Sequence, residues 1–240
     1  MGFERINDNI LRLCVPFDNI YTSVFAVDAG GKWLLFDCGS DDYDANSIII
    51  PAIKSLGMIP EMIFVSHSHG DHAGGLDALV KEYPHACVKR FCDNSASDGE
   101  SVFGCLKLLN LKGHSEDSGA LLDERSGTLL SGDSLQLWGV GKYGIGVSDP
   151  REYIASIDRL LRMNLKTVVA SHDYYPLGFI AEGEAVAEYL EECRRDVKEL
   201  LDFVRNNRHK EPGTIAEEFG RTDTKRPPVP VWVLKRIIGA

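Results

Sequence analysis

The side chains best suited to chemistry are concentrated in one short stretch, Ser66-His67-Ser68-His69-Gly70-Asp71-His72. It follows directly on the apolar run Met62-Ile63-Phe64-Val65, which reads as a buried strand. Two imidazoles two positions apart after a strand can grip one metal ion from a tight loop. Asp71 and His72 then face a different direction and can hold a second ion. Nitrogen and oxygen donors of this kind suit Zn²⁺, with Fe²⁺ or Mn²⁺ as alternatives where a carboxylate joins the set. The chain has only 7 histidines, so their grouping as H-x-H-x-D-H is a specific motif rather than a compositional accident. Three further residues extend it: His114 in Gly113-His114-Ser115, Asp133 in Ser131-Gly132-Asp133-Ser134, and His172 in Ser171-His172-Asp173. Each ends a β-like segment. Together with the motif they read as one set.

The elements that must carry these residues are alternating strands and helices. Strands are expected over 10–15, 23–27 and 33–36, with Ala29-Gly30-Gly31-Lys32 as the turn into the last. A helix over 44–57 closes at Gly57, and the spacing Leu76, Leu79, Val80, Tyr83 predicts another that stops before Pro84. Residues 91–101 are polar and read as a loop. Strands follow around 102–111, then a hairpin of 120–122 and 128–130 about Arg125-Ser126-Gly127. Asp149-Pro150-Arg151-Glu152 marks a helix start, with a capping aspartate, a proline at the first position and a glutamate able to reach back. A strand at 168–170 and a long amphipathic helix over 180–205 complete the reading. Residues 206–240, with Pro212-Gly213 and Pro227-Pro228-Val229-Pro230, form a short C-terminal appendage to a domain of residues 1–205.

Composition bounds the function class. The chain has 240 residues, 44% hydrophobic and 26% charged, which is ordinary globular usage. A net charge of −10 argues against nucleic acid as a partner, because phosphate contacts need basic side chains gathered on one face. Basic residues gather only near the end: residues 205–240 carry eight against four acidic ones, a net of +4. That cluster reads as a solvated face, or as a site for an anionic substrate or partner. No secretory signal or membrane-spanning run is visible, so a cytoplasmic location away from membranes is expected, with the six cysteines as free thiols. Cys87 and Cys92 are expected to be small buried thiols, as is Cys38, while Trp138 and Tyr175 are expected to line the core. The sequence assigns no oligomeric state.

This set of motifs resembles the metallo-β-lactamase superfamily of metal-dependent hydrolases over about residues 8 to 180. The motifs stand in the family's order, from Asp37 in Leu35-Phe36-Asp37-Cys38-Gly39 to His172. The resemblance implies an α/β fold, an αβ/βα four-layer sandwich, with two divalent metal ions at one edge of two facing sheets. It implies His67, His69 and His114 as ligands of the first metal, and Asp71, His72 and His172 as ligands of the second. Asp133 would bridge the two, and Asp37 would support the site from behind the ligands. A metal-bridging hydroxide would attack an ester-type carbonyl, with Asp71 as the catalytic carboxylate that orients it and passes a proton.

Within the family, residues 139–146, Gly-Val-Gly-Lys-Tyr-Gly-Ile-Gly, look like the glyoxalase II loop. Lys142 matches its carrier-contacting lysine, and Tyr174 matches the tyrosine that follows the last histidine motif. Gly144 stands at the position of the second loop tyrosine, with Tyr143 one place early. Lys142, Tyr143 and Tyr174 are the candidate substrate contacts. The expected activity is hydrolysis of a small-molecule thioester. A lactonase, or a metal-bound ligand sensor with little turnover, is the alternative.

Overall fold

A computed structural model describes residues 2–223 and 226–239. Met1, and Thr224, Lys225 and Ala240 of the expected appendage, lie outside the described residues. The chain divides into two compact units. The first comprises residues 1–110 and 119–125, the second residues 111–118 and 126–240.

In the first unit a six-stranded sheet runs in the order β1 (Glu4–Arg5), β2 (Ile10–Phe17), β3 (Ile20–Asp28), β4 (Trp33–Phe36), β5 (Pro60–Phe64), β6 (Cys87–Lys89). The first four pair antiparallel, whereas β4–β5 and β5–β6 are parallel. Helical connections make those parallel crossovers possible. They are α1 (Asp42–Asp44), a π-helical segment at Ala45–Ile49, α2 (Ile50–Ser55), α3 (Gly70–Ala73) and α4 (Leu76–Glu82). The single helix expected over 44–57 is thus interrupted. The wide turn falls just before Pro51, whose ring would crowd the carbonyl four residues back in a regular helix.

Both faces of this sheet are buried, which explains its near-continuous apolar strands. On one face Leu13, Val24, Leu35, Ile63 and Val65 pack with Ile49, Ile53 and Leu79 from the helices. On the other, Phe25, Phe36 and Phe64 meet edge to face at 5.8 and 5.6 Å, and Phe91 continues the series at 6.0 Å. The antiparallel strands β7 (Ser101–Val102), β8 (Leu106–Asn110) and β9 (Gly119–Asp123) complete the unit. Cys87 and Cys92 are exposed rather than buried, because one opens the edge strand β6 and the other lies in the turn after it. Cys38 is buried as expected.

In the second unit β10 (Thr128–Leu130) pairs parallel with β13 (Thr167–Val169). Between them in sequence lie the hairpin β11 (Gly139–Val140) and β12 (Tyr143–Gly144), and α5 (Pro150–Leu160). Asp149 caps α5 as expected, its carboxylate accepting the N–H groups of Arg151 and Glu152. The long helix begins later than its periodicity predicts. Ile180–Glu182 is instead a strand, β14, held antiparallel by β13, and α6 spans Ala185–Asn206.

Residues 206–240 supply α7 (Pro212–Gly220) and α8 (Val231–Gly239). They are fastened by Arg226, whose buried guanidinium pairs with buried Asp196 of α6 and stacks over Trp138 and Phe219 at 4.5 and 4.6 Å. Among the described residues no helix is long and apolar enough to cross a membrane.

One packing constraint in the first unit bears directly on the histidine motif. A Cβ on Gly74 would fall 1.9 Å from the Ser40 carbonyl oxygen, and one on Gly75 would fall 2.3 Å from that of Cys38. These contacts are with backbone, so no side-chain rotation relieves them. Gly74→Ala is therefore expected to lower stability by about 1–3 kcal/mol, read from urea unfolding. An unchanged midpoint would show that the 38–41 loop does not press on the motif.

Candidate metal centre

The first unit holds its candidate residues at the carboxyl ends of β4 and β5. Phe36 and Phe64 are register partners in this parallel pair, so Asp37 and the loop from Val65 to His72 leave the sheet at the same edge. Asp37 takes a left-handed backbone conformation, φ 67°, and is fully buried. Such a conformation costs a non-glycine residue free energy, so the bonds around it must offset the strain. Its backbone N–H donates to Phe64, and the Cys38 N–H donates to the carbonyl of His72 at 2.7 Å.

The Asp37 carboxylate is shared between two neighbours. Oδ1 accepts the Ser66 N–H at 2.7 Å. Oδ2 accepts the Ser66 hydroxyl at 2.9 Å and lies 2.7 Å from Nδ1 of His72. Burial pushes the Asp37 carboxyl up from its ordinary value, while the His72 and Ser66 contacts hold it down.

These partners assign the tautomers. A carboxylate oxygen at Nδ1 of His72 places the proton there and leaves a lone pair on Nε2. The Ser66 proton is committed to Asp37, so Ser66 Oγ, 3.0 Å from Nδ1 of His67, accepts from that ring and leaves His67 Nε2 with its lone pair. One buried carboxylate thereby sets two imidazoles, one of them through a hydroxyl.

The rings of His67 and His69 meet at 4.5 Å and those of His67 and His72 at 4.3 Å. Asp71 Oδ2 accepts the hydroxyl of Thr22 at 2.9 Å and faces Nε2 of His72 at 3.2 Å. A carboxylate oxygen and an imidazole lone pair facing each other suit a shared cation. The first-unit donors therefore fit a metal ion.

The second unit repeats the device. Leu130 and Val169 are register partners in the parallel pair β10–β13. Asp133 and His172 each lie three residues beyond them, so both leave at one edge. Asp133 Oδ1 is 3.3 Å from Nε2 of His172, and its Oδ2 is 3.8 Å from Nε2 of His114. All three residues are buried.

Two groups compete for Nδ1 of His114, the Gly146 carbonyl at 2.6 Å and Gln136 Nε2 at 2.7 Å. The carbonyl can only accept, so the tautomer that serves it carries the proton on Nδ1 and again frees Nε2 as a donor atom. Gln136 Oε1 in turn accepts the Gly146 N–H at 2.5 Å. Gly113, just before the histidine, has φ 132°, and a Cβ there would fall 2.3 Å from Tyr153 Cα.

Each unit thus gathers its own share of the expected residues: Asp37, His67, His69, Asp71 and His72 in the first, His114, Asp133 and His172 in the second. Lys142 and Tyr143 lie on the β11–β12 hairpin. Tyr143 is exposed, and the Lys142 ammonium is 5.3 Å from its ring centroid. Tyr174 is buried, its ring edge-on to His172 at 5.5 Å. Tyr175, expected in the core, is exposed instead. Trp138 is only half buried and donates its indole N–H to Glu192 at 2.8 Å.

Thr22, Ser66 and Gln136 were not anticipated from the sequence. Ser66 had a visible signal, its place immediately before His67. Thr22 is brought to Asp71 only by the tertiary fold, and Gln136 lies in a segment without a motif.

Residues 18–89 match the family described as the metallo-beta-lactamase superfamily. The metallo-β-lactamase FIM-1 from Pseudomonas aeruginosa, in its mono-zinc form, superposes with a TM-score of 0.67 over 82% of this chain and 95% of its own, at 16% identity. Residues 18–89 therefore match the metallo-β-lactamase superfamily, and the chain has the mixed α/β fold of the superposed structure. An atrochrysone carboxyl ACP thioesterase from Claviceps purpurea is 22% identical over 90% of this chain and 72% of its own length. A hydroxyacylglutathione hydrolase from Francisella philomiragia is 30% identical over 51% of this chain and 53% of its own. One of these relatives is named as a thioesterase and the other as a hydrolase.

Replacing Asp37 by Asn removes the charged acceptor while keeping the shape. Affinity for the divalent ion is expected to fall about 10–100-fold, measured by dialysis against metal buffers. Affinity equal to that of the parent would show that Asp37 does not set the ligand tautomers.

Proposed function

We propose that the two sets of donors act together as a dinuclear centre in a thioester hydrolase. His67, His69 and His114 would hold one divalent ion and Asp71, His72 and His172 the other, with Asp133 shared between them. Zinc suits these donors, with iron or manganese as alternatives. Bound there, the ions supply Lewis acidity toward a carbonyl and make a water acidic enough to attack near neutral pH.

The observation that carries this reading is the set of fixed tautomers. Asp37 and Ser66 each occupy a histidine Nδ1, so His72 and His67 present Nε2 as a ligand atom. With Nδ1 on these partners and Nε2 on a metal ion, neither nitrogen of such a ring would be left to act as a base. That leaves Asp71. Thr22 steadies one of its oxygens, and the carboxylate orients the attacking water and returns a proton to the departing thiolate.

Lys142, Tyr143 and Tyr174 contact the acyl-thiol substrate, with the exposed hairpin receiving its carrier side. The thioesterase in one relative's name supports this class of substrate. The net charge of −10 favours a small molecule over nucleic acid as partner, and the protein works in the cytoplasm. Residues 1–205 form the hydrolase domain and 206–240 an appendage to it.

Steady-state assays of metal-loaded protein on a panel of acyl-thiols and acyl-homoserine lactones test the reading. Thioester turnover is expected to exceed lactone turnover and to fall at least about a hundredfold in His69→Ala. Equal turnover by that variant would overturn the assignment. Lactone turnover alone would make the enzyme a lactonase, and binding without turnover would make it a sensor.

A further inference from the structure

A concave site lies in the second unit, apart from the candidate metal ligands. It is a cleft of about 630 Å³ between the start of α5, the end of α6 and α8. Its lining includes Arg151, Arg205, Arg208, Lys235 and Arg236, against the single carboxylate of Asp149. That carboxylate is already committed to capping α5. Arg205 pairs with exposed Asp202 at 2.9 Å. Among the described residues, Arg151, Arg208, Lys235 and Arg236 have no carboxylate partner.

Helix dipoles explain part of this pattern and not the rest. Cations near the carboxyl ends of α6 and α8 are favourable, which accounts for Arg205, Arg208, Lys235 and Arg236 one at a time. It does not account for Arg151, a cation in the first turn of α5, where the dipole disfavours it. Nor does it explain why five cations, from three helices and the turn after α6, line one concavity, where they repel one another. In a chain of net charge −10, such a cleft concentrates positive potential and draws in anions. Its volume falls in the range of small-molecule sites. Guanidinium forks match phosphate and carboxylate oxygens in pairs, and the closely spaced charges of a diphosphate can engage several of the five cations at once.

We propose that this cleft binds a small polyanion bearing at least two phosphate charges, of the diphosphate type. The site is independent of the hydrolase reading, because none of its residues is a proposed metal ligand.

Calorimetric titration of the full-length, metal-loaded protein at low salt tests it, with inorganic pyrophosphate and adenosine 5′-diphosphate as separate probes. At least one is expected to bind saturably, one per chain. Its affinity is expected to fall at least about tenfold when Arg208→Glu is combined with Lys235→Glu. His69→Ala is expected to bind like the parent, which separates the cleft from chelation at the metal centre. Tighter binding of adenosine 5′-diphosphate would mark a nucleotide-linked diphosphate as the ligand, and tighter binding of pyrophosphate a free one. Should the double reversal not fold, Arg151→Gln with Arg236→Gln takes its place under the same threshold. Binding by neither probe, undiminished binding in the charge variant, or loss of binding in His69→Ala would each overturn the proposal.

Discussion

The buried carboxylate of Asp37 is the constraint around which the first unit is organised. A carboxylate stripped of water is costly unless its lone pairs are used. Here the Ser66 N–H and hydroxyl donate to it, and Nδ1 of His72 lies at hydrogen-bond distance. These contacts also offset a left-handed backbone at the same residue. Their chemical consequence lies on the far side of the rings, because protons held on Nδ1 leave the lone pair on Nε2 of both His72 and His67. In the second unit the Gly146 carbonyl and the Gln136 amide both meet Nδ1 of His114, which holds the ring in place.

Topology then delivers these residues to sheet edges. In each unit a parallel pair, β4–β5 and β10–β13, sends two consecutive motifs out of the sheet at one end. A one-residue insertion in either strand would disturb the spacing between register partner and ligand. The close contacts of Gly74 and Gly75 with the backbone of residues 38–41 fix the return path of the histidine loop in the first unit. Gly113 does comparable work beside Tyr153 in the second. The glycines and serines flanking the histidines therefore position the candidate ligands.

Most of the candidate site was legible in the sequence because ligand chemistry is written locally. His67, His69, Asp71 and His72 fall within six residues, and each remaining ligand ends a strand-like run. The capping signal at Asp149 and the buried strands were readable for the same reason. What could not be read depends on tertiary packing. Thr22 meets Asp71 from a strand 49 positions earlier. Ile180–Glu182 looked helical because its apolar spacing continues that of α6, yet a free edge of β13 claimed it. Cys87 and Cys92 looked like core residues by type but fall on an edge strand and a turn. The basic appendage was visible as a charge count, whereas its gathering into a cleft required α8 to stand beside α5 and α6.

The account as a whole stands or falls on whether both sets of donors hold metal. Elemental analysis of protein purified without added metal, and again after reconstitution and desalting, measures this directly. Two divalent ions per chain are expected, dropping toward none when His67 and Asp133 are both replaced by Ala. Fewer than one ion per chain after reconstitution would contradict the dinuclear centre and the hydrolytic mechanism built on it.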